Sequence, residues 1–223
     1  MSAEWEQRLV FFGCLIVAVI LHELSHGVTA LFFGDDTAKR EGRLTLNPVA
    51  HVDPFGTIIL PAILVLGGLG AFGYAKPVPI NPTKMRNPRR DSLYVSLAGP
   101  GSNFAMMAMA AVVARFALSD NALVRVYDPF SYLVVWESIG LVAQILLAFA
   151  FVNLLLGLFN LLPIPPLDGS SLIERVLPRE WLPRWWQIRQ YGMLVLIVLV
   201  FWTNLFGRIL TPFWNLLHRF VVP

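Results

Sequence analysis

The stretch AVILHELSHGVTALFF, residues 18–33, decides how the rest of the chain is read. Its flanks are as apolar as lipid, yet HELSH at 22–26 packs two histidines, a glutamate and a serine into five positions. Ionisable groups are expensive in hydrocarbon, and a membrane-embedded segment that keeps them has a use for them. In a helix His22 and His26 lie one turn apart and project from one face, so both imidazoles reach a single metal ion. Glu23 flanks that point without having to be a ligand. This is the H-E-x-x-H arrangement, in which a metal activates water and the glutamate takes its proton. A purely structural reading, with the imidazoles bonded to nearby backbone, would suit one isolated histidine. It does not explain two of the chain's four histidines at this spacing around a glutamate.

Composition places the motif in a membrane. Of 223 residues, 57% are hydrophobic and 14% charged, and the mean hydropathy is +0.65, outside the balance of a soluble globular domain. The net charge of +3 is small. Its lysines and arginines sit between apolar blocks, which reads as membrane topology and not as a nucleic-acid surface. Cys14, the single cysteine, reads as a packed apolar residue. The N-terminus MSAEWEQRLV lacks a basic leader, and the run after it carries HELSH in place of a small-residue cleavage site, so it is expected to be retained.

Apolar runs fall at about 9–33, 55–73, 93–118, 133–162 and 191–216. At roughly 20 residues per crossing, four are long enough to span. The second, with Pro61, Gly67, Gly68, Gly70 and Gly73, is borderline and reads as a re-entrant or broken segment. The positive-inside rule favours the re-entrant version. It puts Lys39, Arg40 and Arg43, the five cations of 74–92, and Arg175, Arg179, Arg184 and Arg189 together on the cytosolic side, with both termini outside. The fold expected is an all-α polytopic membrane protein, a single domain over 1–223, with a core at about 9–175 and a C-terminal helix at about 191–216. EGRLTLNP at 41–48 alternates like a short membrane-edge β strand, AKPVPINP at 75–82 is too proline-rich for a helix, and Trp181, Trp185 and Trp186 mark a short interfacial helix.

A catalytic zinc takes three protein ligands and keeps a fourth position open. The best candidate for the third is Asp168 in NLLPIPPLDG, residues 160–169, where Pro163, Pro165 and Pro166 stop the preceding helix. The same Asp-Gly pair would also make a plain surface turn. The re-entrant topology puts Asp168 at the same membrane face as the end of the first run, within reach of His22 and His26.

HELSH at 22–26, AGPGSNF at 98–104 and NLLPIPPLDG at 160–169, in this order, resemble the intramembrane zinc metalloproteases of the site-2 protease family, peptidase family M50. The likeness runs from the first crossing to Gly169, and GRLTLNPVAHVDPFGT and AKPVPINP further resemble a compact prokaryotic subgroup. The resemblance implies that His22, His26 and Asp168 bind one Zn²⁺ per chain and that Glu23 is the catalytic acid and base. It also implies that Asn103 helps hold the substrate backbone or the developing oxyanion. The implied partners are a transmembrane protein substrate and the lipid bilayer, with the site in the cytoplasmic membrane toward the cytosol. Some members of the family carry a PDZ or nucleotide-binding domain; these residues show neither.

Asn103 has a second reading, since Gly99 and Gly101 allow close helix contact and its amide would then bond between helices. Asn153 and Asn160 share a helical face and fit interhelical bonding as well as substrate contact. His51 reads as a loop residue, His218 as an interface residue and Glu137 as solvated. Two other classes stay open: a metal transporter, which would string ionisable groups along a path, and an inactive membrane scaffold, which would not need Glu23 beside a full ligand set.

Overall fold

A computed structural model of the chain describes residues 3–60, 63, 66, 73–117, 140–203 and 205–221. The first apolar run forms α1, Ala3–Phe32, which passes straight through HELSH. The helix α2, Thr37–Arg40, follows a turn at Gly34, whose φ of 105° suits a residue without a side chain. After a 3₁₀ turn at Pro48–His51 and a wider π-helical turn at Pro54–Ile59, the chain returns through 73–87 to α3, Pro88–Ala117. The remaining α-helices among the described residues are α4, Leu141–Asn160; α5, Ser170–Val176; α6, Leu182–Arg189; α7, Gly192–Trp202; and α8, Leu205–Val221.

Among the described residues three helices, α1, α3 and α4, are each long and apolar enough to cross a membrane. Helices suit that medium because every backbone group bonds within its own segment. They pack on one another through small side chains, Cys14 and Ala18 on α1, Ala110, Ala111 and Ala114 on α3, and Ala143, Ala148 and Ala150 on α4, which lets the backbones approach closely.

The expected fourth crossing is not one helix. Residues Gly192–Val200 and Leu205–Val221 meet at 67°. Thr203 is extended (φ −122°, ψ 149°), and its hydroxyl donates to the Leu199 carbonyl and accepts from the Leu205 N–H, closing one helix and opening the next. Beyond the break α8 runs past residue 216 to Val221, with Leu210, Trp214, Leu217 and Val221 buried along one stripe.

The expected membrane-edge strand is absent: no strand forms among the described residues. Thr45 gives its carbonyl to His51 Nε2 at 2.9 Å and Asn47 turns back to cap the Val49 N–H, so local side-chain bonds take the backbone that a ladder would need.

The 55–73 run leaves and returns at one point. The Tyr74 N–H bonds the Gly56 carbonyl at 3.0 Å, and Thr57 Oγ1 donates to the Tyr74 carbonyl at 2.9 Å. Its interior, including Pro61, Gly67, Gly68 and Gly70, lies outside the described residues, as do Arg125 and Glu137. Since the Arg86 N–H also bonds the Phe33 carbonyl at 3.2 Å, α3 starts where α1 ends. The end of α4 returns to that same end of the bundle. The interfacial helix is present as α6, with Arg184 over the Trp181 ring at 5.2 Å.

Candidate metal centre

Among the described residues, one group has metal-ligand geometry, and it is His22, His26 and Asp168. His22 and His26 come from one face of α1, and both are buried. Asp168 follows a prolyl turn in which the Gly169 N–H bonds back to the Asn160 carbonyl at 2.7 Å. Gly169 is not there for a left-handed backbone, because its φ is −58°. A Cβ on it would strike the Leu161 and Leu162 carbonyls, so only glycine lets the turn fold tightly enough to aim Asp168 at α1. Arg89, in the first turn of α3, secures the far side by donating to the carbonyls of Glu174, Arg175 and Leu177 at the C-terminus of α5.

The protonation pattern of both imidazoles follows from their neighbours. The Val95 carbonyl can only accept, so His26 Nδ1, 2.7 Å away, carries the proton. For His22 the reasoning starts further off. The Phe149 carbonyl takes a hydrogen bond from Asn153 Nδ2 at 2.8 Å, which turns Asn153 Oδ1 toward Asn103. Asn103 therefore presents Nδ2 to it, at 2.8 Å, and Oδ1 to His22 Nδ1, at 2.6 Å. His22 Nδ1 donates in turn, and both Nε2 atoms are left as lone pairs.

Those lone pairs converge. His22 Nε2 lies 3.1 Å from His26 Nε2, and Asp168 Oδ2 lies 3.2 and 3.3 Å from the two nitrogens. With neither Nε2 carrying a proton, Asp168 Oδ2 has no hydrogen-bond donor, although it is buried. Three acceptors aimed at one point with no proton between them need a cation. Zn–N bonds of about 2.0–2.1 Å place tetrahedral ligand atoms about 3.3 Å apart, which these separations match. The third helix leaves room for the group: a Cβ on Gly99 would overlap His26 Nε2 and His22 Cε1, so glycine is required where α3 faces both imidazoles.

Glu23 stands beside the cluster, and its Oε2 accepts the Val78 N–H at 2.9 Å. The structure thus brings together His22, Glu23, His26 and Asp168. It places Asn103 against His22, fully buried, with both ends of its amide engaged. Asn153 bonds between helices; Asn160 Nδ2 bonds the Leu156 carbonyl within α4. His51 lies outside the cluster, and His218 sits on α8 against Trp214. Val95 and Val78 escape sequence reasoning, because a backbone carbonyl and a backbone N–H leave no trace in residue chemistry. Close helix contact at Gly99 and interhelical bonding by Asn153 are expected from the sequence, but not that they face the imidazoles and Asn103.

Comparison with known proteins agrees with this geometry. The chain matches Peptidase family M50 over residues 10–202, and it belongs to that family. It is 43% identical over 212 residues, covering 90% of this chain and 84% of the relative, to a Bacillus subtilis (strain 168) protein named "Putative zinc metalloprotease YwhC". Two mycobacterial proteins named "Putative zinc metalloprotease Rip2" are also similar. The one from Mycolicibacterium smegmatis is 32% identical over 193 residues, 86% of this chain and 66% of the relative. The one from Mycobacterium tuberculosis H37Rv is 31% identical over 207 residues, 89% and 72% of the two chains. No solved structure matches.

Proposed function

We propose that the chain is an intramembrane zinc endopeptidase that cleaves a peptide bond in or near a transmembrane segment of another membrane protein, as in regulated intramembrane proteolysis. The observation that carries this reading is the convergence of three unprotonated ligand atoms beside Glu23, on helices long and apolar enough to cross a membrane. His22 Nε2, His26 Nε2 and Asp168 Oδ2 would hold the metal. When bound, zinc supplies Lewis acidity toward the scissile carbonyl and lowers the pKa of water, which spares the protein a stronger base. Glu23 takes the proton of the attacking water and passes it to the leaving amine, so one carboxylate serves as base and then as acid.

Asn103 holds His22 in the ligating tautomer and keeps its ring from turning. With both ends of its amide engaged, it supports hydrolysis through His22, and an oxyanion contact would require it to exchange one of those bonds. The substrate's own helix shields its carbonyls, so the segment must unwind before it reaches Glu23. The basic end of the bundle is proposed to face the cytosol of a prokaryotic cell, in accord with the positive-inside rule.

The test is the zinc content of the detergent-purified protein, beside Asp168→Ala and Glu23→Gln. One zinc per chain in wild type and Glu23→Gln, and weakened binding in Asp168→Ala, is the expected result. Wild-type protein that is folded, never exposed to chelator and free of zinc would overturn the reading.

A further inference from the structure

The carboxylate of Glu23 is gripped by a segment that contributes no metal ligand. Residues 74–81, YAKPVPIN, form an irregular strap against the face of α1 that carries Glu23 and, one turn on, Gly27. Val78 packs into that face. It is buried, and a Cβ on Gly27 would press on its side chain and overlap that of Leu44, so the bare glycine seats the strap. Pro77 and Pro79 have no N–H. The Val78 amide is therefore the one backbone donor between Lys76 and Ile80, and it points at Glu23 Oε2.

The strap is fastened on both sides of this contact. Upstream, the Lys76 N–H bonds the His51 carbonyl at 2.9 Å, and the buried Arg43 donates Nη2 to the carbonyls of Lys76 and Pro77 at 3.0 and 3.3 Å. Downstream, the Asn81 N–H bonds the buried Asp35 carboxylate. Three separate loops thus hold one amide in place.

We infer that the Val78 N–H is the positioning group for the Glu23 carboxylate, an inference that rests on the proteolytic reading above. With Oε2 tied to a donor that no side-chain rotation can withdraw, Oε1 stays directed to the reacting water and the leaving amine, and rotamers that would swing the carboxylate away are disfavoured. Proton transfer by Glu23 then depends on the strap, although the strap contributes no residue to the ligand group.

Two measurements test this. Amide hydrogen exchange over 77–80 reports only Val78 and Ile80, since the prolines are silent. Val78 is expected to exchange slowly in wild type and at least about tenfold faster in Glu23→Ala, while the Lys76 and Asn81 amides keep their protection. Equal Val78 exchange in the two proteins overturns the inference, whatever the activity. Second, Val78→Pro removes the N–H and suits an extended chain, whereas Val78→Ala trims the side chain and keeps the N–H. With the protein in detergent and β-casein as probe, Val78→Pro is expected to lose about ten- to a hundredfold in kcat with KM and zinc content unchanged, and Val78→Ala, which loosens the packing but keeps the N–H, to lose markedly less. Equal kcat in the two variants, or a larger loss in Val78→Ala, shows packing and not the amide to matter and overturns the inference. Where Val78→Pro fails to fold, a backbone ester at Val78 replaces it. Glu23→Gln that cleaves as well as wild type overturns the proteolytic reading instead, and the exchange experiment then judges the hydrogen bond alone.

Discussion

At the scale of single residues, the metal centre depends as much on what is missing as on what is present. Gly99 puts no atom where a Cβ would overlap both ligand imidazoles, whereas a Cβ on Gly101, two positions on, meets nothing within 4 Å. Gly99→Ala is therefore expected to lower zinc affinity by at least about a hundredfold with Gly101→Ala unchanged, as read by competition with a chromogenic chelator. Asn153→Leu keeps the branching of the side chain but strands Asn103 Nδ2 and frees the His22 ring to turn. A loss of about ten- to a hundredfold in zinc affinity is expected in the same titration, in keeping with other outer-shell partners. Unchanged zinc affinity in Asn153→Leu would show that the relay from Phe149 does not set the tautomer. The ligands themselves were legible because H-E-x-x-H encodes its geometry in a helical period. The relay was not, because it joins α1, α3 and α4 through residues 22, 103 and 153.

Among the elements, the loop side of the bundle is held by a carboxylate. Asp35 is buried, and burial works against its charge. Hydrogen bonds from the Thr37 hydroxyl and from the Asn81 and Thr37 amides, with the Lys84 charge nearby, outweigh that and hold its carboxyl below the ordinary range. A group whose pKa is lower in the folded state adds stability above its unfolded value of about 3.9 and loses it as pH falls through the folded one. The melting temperature of wild type is thus expected to drop below about pH 4, and Asp35→Asn to start lower and to show a shallower drop. Parallel acid limbs in the two proteins would remove Asp35 from the account. Element boundaries were only partly legible. The C-terminal run read as one helix because its composition is uniformly apolar, while the break rests on the hydroxyl of Thr203. The strand expected at 41–48 had the right alternation and no partner to pair with.

For the whole molecule the question is sidedness. The ends of α1 and α4 and the start of α3 share one end of the bundle, which also carries Lys39 on α2, Arg90 in the first turn of α3 and Arg179 in a short turn after α5. In a Cys14→Ala background, single cysteines at these three positions are expected to react with a membrane-impermeant maleimide in inverted vesicles and to stay protected in intact spheroplasts. Labelling of Lys39→Cys from the opposite side to Arg90→Cys would mean that the 55–73 run spans, against the return of the chain at Gly56 and Tyr74.

The sequence by itself determined the medium and the helical class and singled out His22, Glu23, His26 and Asp168, which the fold brings together, because hydropathy, the 3.6-residue period and the chemistry of His, Glu and Asp are local properties of the chain. Tertiary structure alone decided which atoms of those residues converge. It also decided what holds Glu23, why glycine stands at 27 and what the bare backbone at 99 and 169 makes room for. These are matters of close approach between segments far apart in sequence, where a missing side chain or a backbone amide acts and residue type carries no signal.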